Sequence, residues 1–374
     1  MKWITWCFCA LFCLSLYSAE FTVSSYNCGG LPDHYDYIRG ACMGKIFEER
    51  YSQQATLMKR FEKVQDIALT ILFAKTTEER RAAKEKWETL KCSQFLAKIA
   101  SENAAINKQW QEMIEQTVTP YNVRPIVIHD EDIKQQLLDH VRDITGQIKG
   151  PLTLDSLLYA ARKKMAKKIF SHQVTHDIIC LQEINYLDVD LFPEHYEVQF
   201  SNTNNGNGIA WNTNRFEFLE TFDCPGRTVA LLLRDRDTQG RLFVISAHLP
   251  GCNPFFRVGA DADKGDQELQ AILDIAKDVE AKVKVIAMDS NVTATHPRLK
   301  ILKSANYTLD YKNYLYPTCP HVGVLLNTRI DWIAVGQDSH EPPSIANIPI
   351  SGVGLNDFRT NISDHAPIAA TISY

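Results

Sequence analysis

This 374-residue chain contains no internal repeat, no glycine-rich phosphate loop and no CxxC pair. Their absence argues against a solenoid, a P-loop nucleotide binder and a CxxC zinc or redox module. Glycine and proline number only 17 and 15, too few for a collagenous or low-complexity chain. With 45% hydrophobic and 23% charged residues, the composition is that of a protein that buries a core. Long apolar runs are also missing after the first nineteen residues, which excludes a polytopic membrane protein.

Those nineteen residues, MKWITWCFCALFCLSLYSA, carry one lysine, an apolar stretch and then small residues at Ser18 and Ala19. This is the layout of a secretory signal peptide, so we expect residues 1–19 to be removed near Ala19. The expected mature chain is secreted or periplasmic and has no stable transmembrane span. Cys7, Cys9 and Cys13 would leave with the signal, and the odd number that remains leaves at least one thiol outside any intrachain disulfide.

Net charge is −5, unevenly placed. Residues 41 to 170 hold 22 Lys and Arg against 17 Asp and Glu, whereas residues 171 to 374 hold 16 against 25. The first portion reads as helix: Leu57, Phe61, Val64, Ala68, Ile71 and Leu72 recur at helical spacing. Thr76 with Glu79 marks the start of a second helix. The basic run RKKMAKK at 162–168 reads as a solvated helix face. After residue 171 the period shortens to that of strands, interrupted by an amphipathic helix with Leu269, Ile272, Leu273 and Ala276 on one face. Strands joined partly by hairpins and partly by helices predict mixed sheets with helices packed outside them.

Each of these strands stops at a polar residue that a core does not require. FTVSSYN ends at Asn27, DIICLQE at Glu183, LFVISAH at His248, and VKVIAMDSN at Asp289 and Asn291. RID places Asp331 in its strand, and ISDH puts Asp364 and His365 just before the last one. Strand ends of α/β folds are where loops converge over a ligand. The set holds carboxylates, amides and two imidazoles, with no serine or cysteine nucleophile. Such an inventory suits hydrolysis of a phosphate ester assisted by a hard cation.

The ordered set SYN, LQE, SAHL, MDSN, RID and SDH resembles the endonuclease/exonuclease/phosphatase superfamily. The resemblance implies an α/β fold, a four-layer sandwich of two mixed β-sheets with helices outside, built from residues 20–40 and 151–374. Residues 41–150 then form a helical insertion. It further implies Mg2+, with Mn2+ or Ca2+ as alternatives, held by Glu183 and Asn27, with Asp364 serving the same or a second cation. His365 paired with Asp331 would contact the phosphate, Asp289 would orient the attacking water, Asn291 would donate to a phosphoryl oxygen, and His248 would protonate the leaving group.

The sequence departs from the superfamily where MDSN replaces the usual GDFN, and in the long gap between Asn27 and Glu183. The substrate therefore stays open at this point: a nucleic acid, or a phospholipid headgroup as for sphingomyelinases and phosphoinositide phosphatases, with a catalytically silent binding module as a third reading. We expect a monomer. Phe255 and Phe256 could stack on a base, touch a membrane or pack on the helical insertion, and Arg257 could meet a phosphate or form a surface ion pair. Asn291, Asn306 and Asn361 each head an Asn-x-Ser/Thr triplet, and a glycan on Asn291 would obstruct the proposed centre.

Overall fold

The computed structural model describes residues 19–31, 35–118, 127–146, 153–184, 189–201, 206–251, 261–309, 318–319, 328–336, 343–355 and 357–374. The expected signal peptide, apart from Ala19, and the loop with Phe255, Phe256 and Arg257 lie outside the described residues. The strands are, in chain order, β1 (Glu20–Leu31), β2 (Ile178–Ile184), β3 (Tyr196–Phe200), β4 (Gly208–Asn212), β5 (Phe216–Phe222) and β6 (Arg227–Asp235). They continue with β7 (Arg241–His248), β8 (Val283–Asp289), β9 (Thr308–Leu309), β10 (Asp331–Gly336), β11 (Ser344–Ile348) and β12 (Ile368–Ser373). One six-stranded sheet has the order β11-β12-β1-β2-β4-β3, and the other β5-β6-β7-β8-β10-β9. Both are mixed, because β1 with β2 and β7 with β8 run parallel while their other pairings are antiparallel.

The alternation of side chains along each strand decides what fills the sandwich. Phe21 and Val23, Ile178 and Cys180, Leu242 and Val244, Val283 and Val285, and Ile333 and Val335 belong to one buried cluster between the sheets. Their neighbours of opposite parity face helices. On the first sheet Tyr26, Ile179 and Leu181 meet Leu158, Ala161 and Met165 of a helix at Leu154–Lys168. On the second, Phe243, Ile245 and Ile286 meet Leu269, Ile272 and Ala276 of a helix at Ala262–Asp278. The result is the expected four-layer arrangement. Each buried Leu, Ile, Val or Phe contributes about 1.5–3 kcal/mol relative to exposure.

Before the helix at 154–168, here α5, come α1 (Tyr35–Phe73), α2 (Thr77–Thr89), α3 (Cys92–Thr117) and α4 (Glu131–Thr145). The helix at 262–278 is α6, and α7 spans Arg298–Ser304. As the capping pattern predicts, the Thr76 hydroxyl accepts from the Glu79 amide at 3.1 Å and starts α2. The 39-residue α1 passes residue 41 without a break and is about 58 Å long. Its Tyr37 and Ile38 join the helical layer of the first sheet, and its Leu69 joins that of the second. Between them Phe61, Val64 and Ile67 pack with Ala83, Phe95 and Ile99 of α2 and α3 into a small core of their own. The edge strands β5, β9 and β11 are absent from the sequence-level reading, since two are half exposed and β9 is two residues long.

Candidate active site

The parity that fills the inter-sheet core also aims the polar strand ends. Asn27 continues the run of Phe21 and Val23, His248 that of Leu242 and Val244, and Asp289 that of Val283 and Val285. All therefore point between the sheets, at the end where both parallel pairs terminate. Register aligns them: Arg227 pairs with His248, His248 with Asp289, and Asp289 with Asp331. Four polar residues thus form a row across four adjacent strands, each about 4.8 Å from the next strand. Asn27 closes the row from the other sheet, its Nδ2 donating to Asp289 Oδ2 at 2.9 Å.

Asp289 is 1% exposed, and its two oxygens are each held by one donor: Asn27 at Oδ2, and the backbone amide of Asn291 at Oδ1, 2.8 Å away. Burial first, and then the nearby Asp331 carboxylate, raise its pKa to about 7. His365 Nδ1 lies 2.9 Å from Asp331 Oδ2, and its Nε2 lies 3.8 Å from Asp289 Oδ2. Burial alone would lower the His365 pKa, but Cys319 and the Asp331 carboxylate outweigh it and hold it well above the usual imidazole value. The backbone between Asp289 and Asn291 turns sharply, with Asn291 at φ 53°. Its Nδ2 donates to the Leu249 carbonyl at 3.0 Å and lies 3.1 Å from His248 Nε2.

Glu183 also takes a left-handed backbone, φ 48°, which a non-glycine residue adopts at a cost of about 1–3 kcal/mol. That twist breaks the alternation of β2 and turns the carboxylate toward the row. Its Oε1 lies 3.4 Å from His248 Nδ1 and 3.6 Å from an Arg227 nitrogen. Burial, with a smaller contribution from the Asp364 carboxylate, raises its proton affinity. His248 is 4% exposed; burial first, then Arg227 and His365, depress its pKa well below the usual value, so the free protein holds it as a neutral imidazole. Asp364 is 3.1 Å from Arg39 of α1.

Beneath this row lies a set of buried polar ties. Gln182 Nε2 donates to Ser246 Oγ at 3.1 Å, and Ser246 Oγ donates to the Leu181 carbonyl at 2.8 Å, so the sheets are joined just below the site. Asn207 Nδ2 donates to the carbonyls of Ser246 and Arg227. The Tyr26 hydroxyl donates to Asn361 Oδ1, and Asn361 Nδ2 donates to the His365 carbonyl at 2.7 Å, which fixes the loop carrying Asp364 and His365. Arg162, fully buried, donates to the carbonyls of Ile362, Cys28 and Gly29. The expected solvated face at 162–168 is therefore corrected at its first position: Arg162 sits on the same side of α5 as Leu158 and Met165 and is enclosed with them. Arg298, also fully buried, ties Asp266 of α6 to the carbonyls of Pro250, Ser290 and Ala262.

All eight residues singled out from the sequence border one centre. Asn27, Asp289, Asn291, His248 and Glu183 are linked by the contacts above, as are Asp331 with His365 and His365 with Asp289. Asp364 reaches the group through Glu183 and Arg39. Sequence reading missed Arg39, Arg227, Arg162 and Arg298, because a lone arginine has no pattern that separates a buried tie from a surface charge. The sequons at Asn291 and Asn361 are folded into the site, while Asn306 stands exposed in the turn after α7. Glu183, with the Asp364 carboxylate near enough to raise its proton affinity, and separately Asp289, Asp331 and His365, whose donor atoms lie within 4.8 Å of one another, are groups suited to a hard divalent cation.

No family model and no curated protein matches the sequence. Solved structures to which it is similar include members of the endonuclease/exonuclease/phosphatase family. The human Nocturnin catalytic domain is 18% identical, with TM-score 0.44, over 57% of this chain and 86% of that one. A humanized D. rerio TDP2 is 17% identical, with TM-score 0.45, over 57% and 93%. The endonuclease/exonuclease/phosphatase from Bacteroides vulgatus is 17% identical, with TM-score 0.42, over 56% and 89%.

Proposed function

We propose that this chain is a divalent-cation-dependent phosphoesterase of the endonuclease/exonuclease/phosphatase superfamily that hydrolyses a phosphodiester, with a nucleic acid as its substrate. The observation that carries the reading is the buried His365–Asp331 pair set against Asp289, whose two oxygens keep one lone pair each for a water. Glu183 and Asp364 would hold the cation, Mg2+ first and Mn2+ or Ca2+ as alternatives, with the Asn27 amide beside them. Bound there, the cation neutralises phosphate charge and polarises the phosphoryl group.

The residues of the chain divide the remaining tasks. Asp289 orients the attacking water and, with a pKa near neutrality, takes its proton. His365, kept protonated by Cys319 and the Asp331 carboxylate, donates to a non-bridging phosphoryl oxygen. Asn291 Nδ2, now 3.0 Å from the Leu249 carbonyl and 3.1 Å from His248 Nε2, would give up one of these partners to offer the phosphate a second donor. His248 is neutral in the free protein, and an arriving phosphate anion raises its proton affinity toward the range in which it protonates the leaving oxygen. Arg227 and Arg39 add positive charge on either side of Glu183.

We place this activity outside the cytoplasm on the strength of the leader-like first nineteen residues. Among the described residues no helix is long and apolar enough to cross a membrane. The test is hydrolysis of plasmid DNA, RNA, sphingomyelin and phosphoinositides with Mg2+ and with EDTA, across a salt series. Cleavage of nucleic acid that weakens steeply with salt supports the reading. Turnover of lipid substrates alone replaces the nucleic acid by a headgroup, and no Mg2+-dependent turnover of any of the four sinks the proposal.

A further inference from the structure

Cys319 is given no contact with substrate in the reaction just described, although it helps to hold the His365 proton, and it borders the same centre. Its thiol, one carboxylate oxygen of Asp364 and one ring nitrogen of His365 all lie within 4.8 Å of one another, and all three residues are buried. The backbone holds the cysteine in place: Cys319 and Thr328 exchange two hydrogen bonds, of 2.9 and 3.0 Å. Next to it Thr318 accepts from the amides of Asp331 and Ala366 at 3.2 and 2.7 Å. Sulfur, imidazole nitrogen and one carboxylate oxygen are the donors zinc selects, whereas magnesium takes oxygen.

The histidine is also oriented as a zinc ligand. Its Nδ1 is committed to Asp331 Oδ2 at 2.9 Å, which leaves Nε2 for a cation, the carboxylate–imidazole arrangement that fixes metal-binding histidines. Ligands about 2.0–2.3 Å from a tetrahedral zinc are about 3.3–3.8 Å apart, so donors that lie within 4.8 Å of one another need to close by at most about 1–1.5 Å.

We infer that Cys319, Asp364 and His365 form a binding site for a thiophilic divalent cation of the Zn2+ class, overlapping the phosphoesterase centre so that its occupation blocks the reaction. Binding releases the Cys319 thiol proton and the Nε2 proton of His365 to solvent, takes Asp364 from Arg39 and ties up the imidazole that meets the phosphate. The blocking rests on the phosphoesterase reading; the binding does not.

The test uses the full chain and Co2+ as a spectroscopic stand-in for zinc. Wild type should show a near-ultraviolet sulfur-to-cobalt charge-transfer band that Zn2+ abolishes by displacement, and Cys319→Ser should lose it while keeping its circular dichroism. Asp364→Asn should keep the band with affinity weakened at least about tenfold. In turnover assays, each variant measured against its own uninhibited rate, Cys319→Ser should need at least about tenfold more Zn2+ for half inhibition. No band in wild type, or a band that persists in folded Cys319→Ser, overturns the site. A band without phosphoesterase activity keeps the zinc site and removes the reaction reading; activity without a band does the opposite.

Discussion

Arg39, in the second turn of α1, places its guanidinium 3.1 Å from Asp364, so the long helix that follows β1 forms one wall of the candidate centre. The pair is largely shielded, with side-chain exposures of 18% and 9%. Arg39 also faces Glu183, whose proton affinity it lowers. It therefore competes with a cation for both carboxylates. Arg39→Ala should lower the half-saturating Mg2+ concentration about three- to tenfold, roughly 1 kcal/mol, while weakening substrate binding. A Mg2+ titration of initial rates checks this, and an unchanged or higher Mg2+ requirement contradicts it.

His365→Ala should reduce turnover by about 10²–10⁴-fold with the fold intact, since it removes the donor facing the phosphate. Asp331→Asn keeps the shape but loses the charge that holds His365 protonated, and should cost about 10–100-fold. Single-turnover rates alongside circular dichroism separate these effects from unfolding.

Asp289 must be ionised to accept a proton, and in the free protein burial and Asp331 bring its pKa to about 7. Activity should accordingly rise with pH along an acid limb at or below about 7, a bound cation moving the limb downward by its positive charge. Asp289→Asn should abolish turnover at every pH. A rate profile that is flat from acid to neutral pH contradicts the assignment.

Arg298 is enclosed by Asp266 at 2.8 Å and by three backbone carbonyls. Arg298→Leu removes the buried guanidinium from Asp266 and from the carbonyls of Pro250, Ser290 and Ala262, and should destabilise the protein by about 3–5 kcal/mol, read as a shift of the urea midpoint. Gly265→Ala should act in the same direction, because a Cβ there would lie 2.2 Å from the Arg298 guanidinium.

His140 of α4 sits against Tyr37 of α1 and Phe358, ring centres 5.8 and 5.3 Å away. Burial depresses its pKa, outweighing the Asp357 and Asp143 carboxylates that favour its charge, with Arg359 also opposing it. The unfolded chain thus binds this proton more readily, and its contribution to stability is complete above about pH 6.5 and declines as pH falls. His140→Phe should flatten the fall in melting temperature between about pH 7.5 and about pH 5, and an unchanged slope contradicts the account.

Much of the centre could be read along the chain. Near-continuous apolar runs in VKVIA and RLFVIS mark strands buried on both faces, and the polar residue that ends each run stands out against them, although the runs do not state which face that residue meets. The order of Asn27, Glu183, His248, Asp289, Asp331 and His365 and the strand ends they occupy could be read from such runs, and the two-sheet architecture from the family resemblance those six motifs carry. What the chain could not state is which strand lies beside which. The row from Arg227 to Asp331 exists because β6, β7, β8 and β10 pair in one register, and hydrogen-bond registry between distant segments leaves no periodic trace. The same holds for Arg39 and Arg162, ordinary charges in sequence that became a wall and a tie only when α1 and α5 packed beside the loop of His365. Local periodicity is set by neighbours a few residues away, whereas the surroundings of a charge are set by chain hundreds of residues distant, and only the folded protein brings the two together.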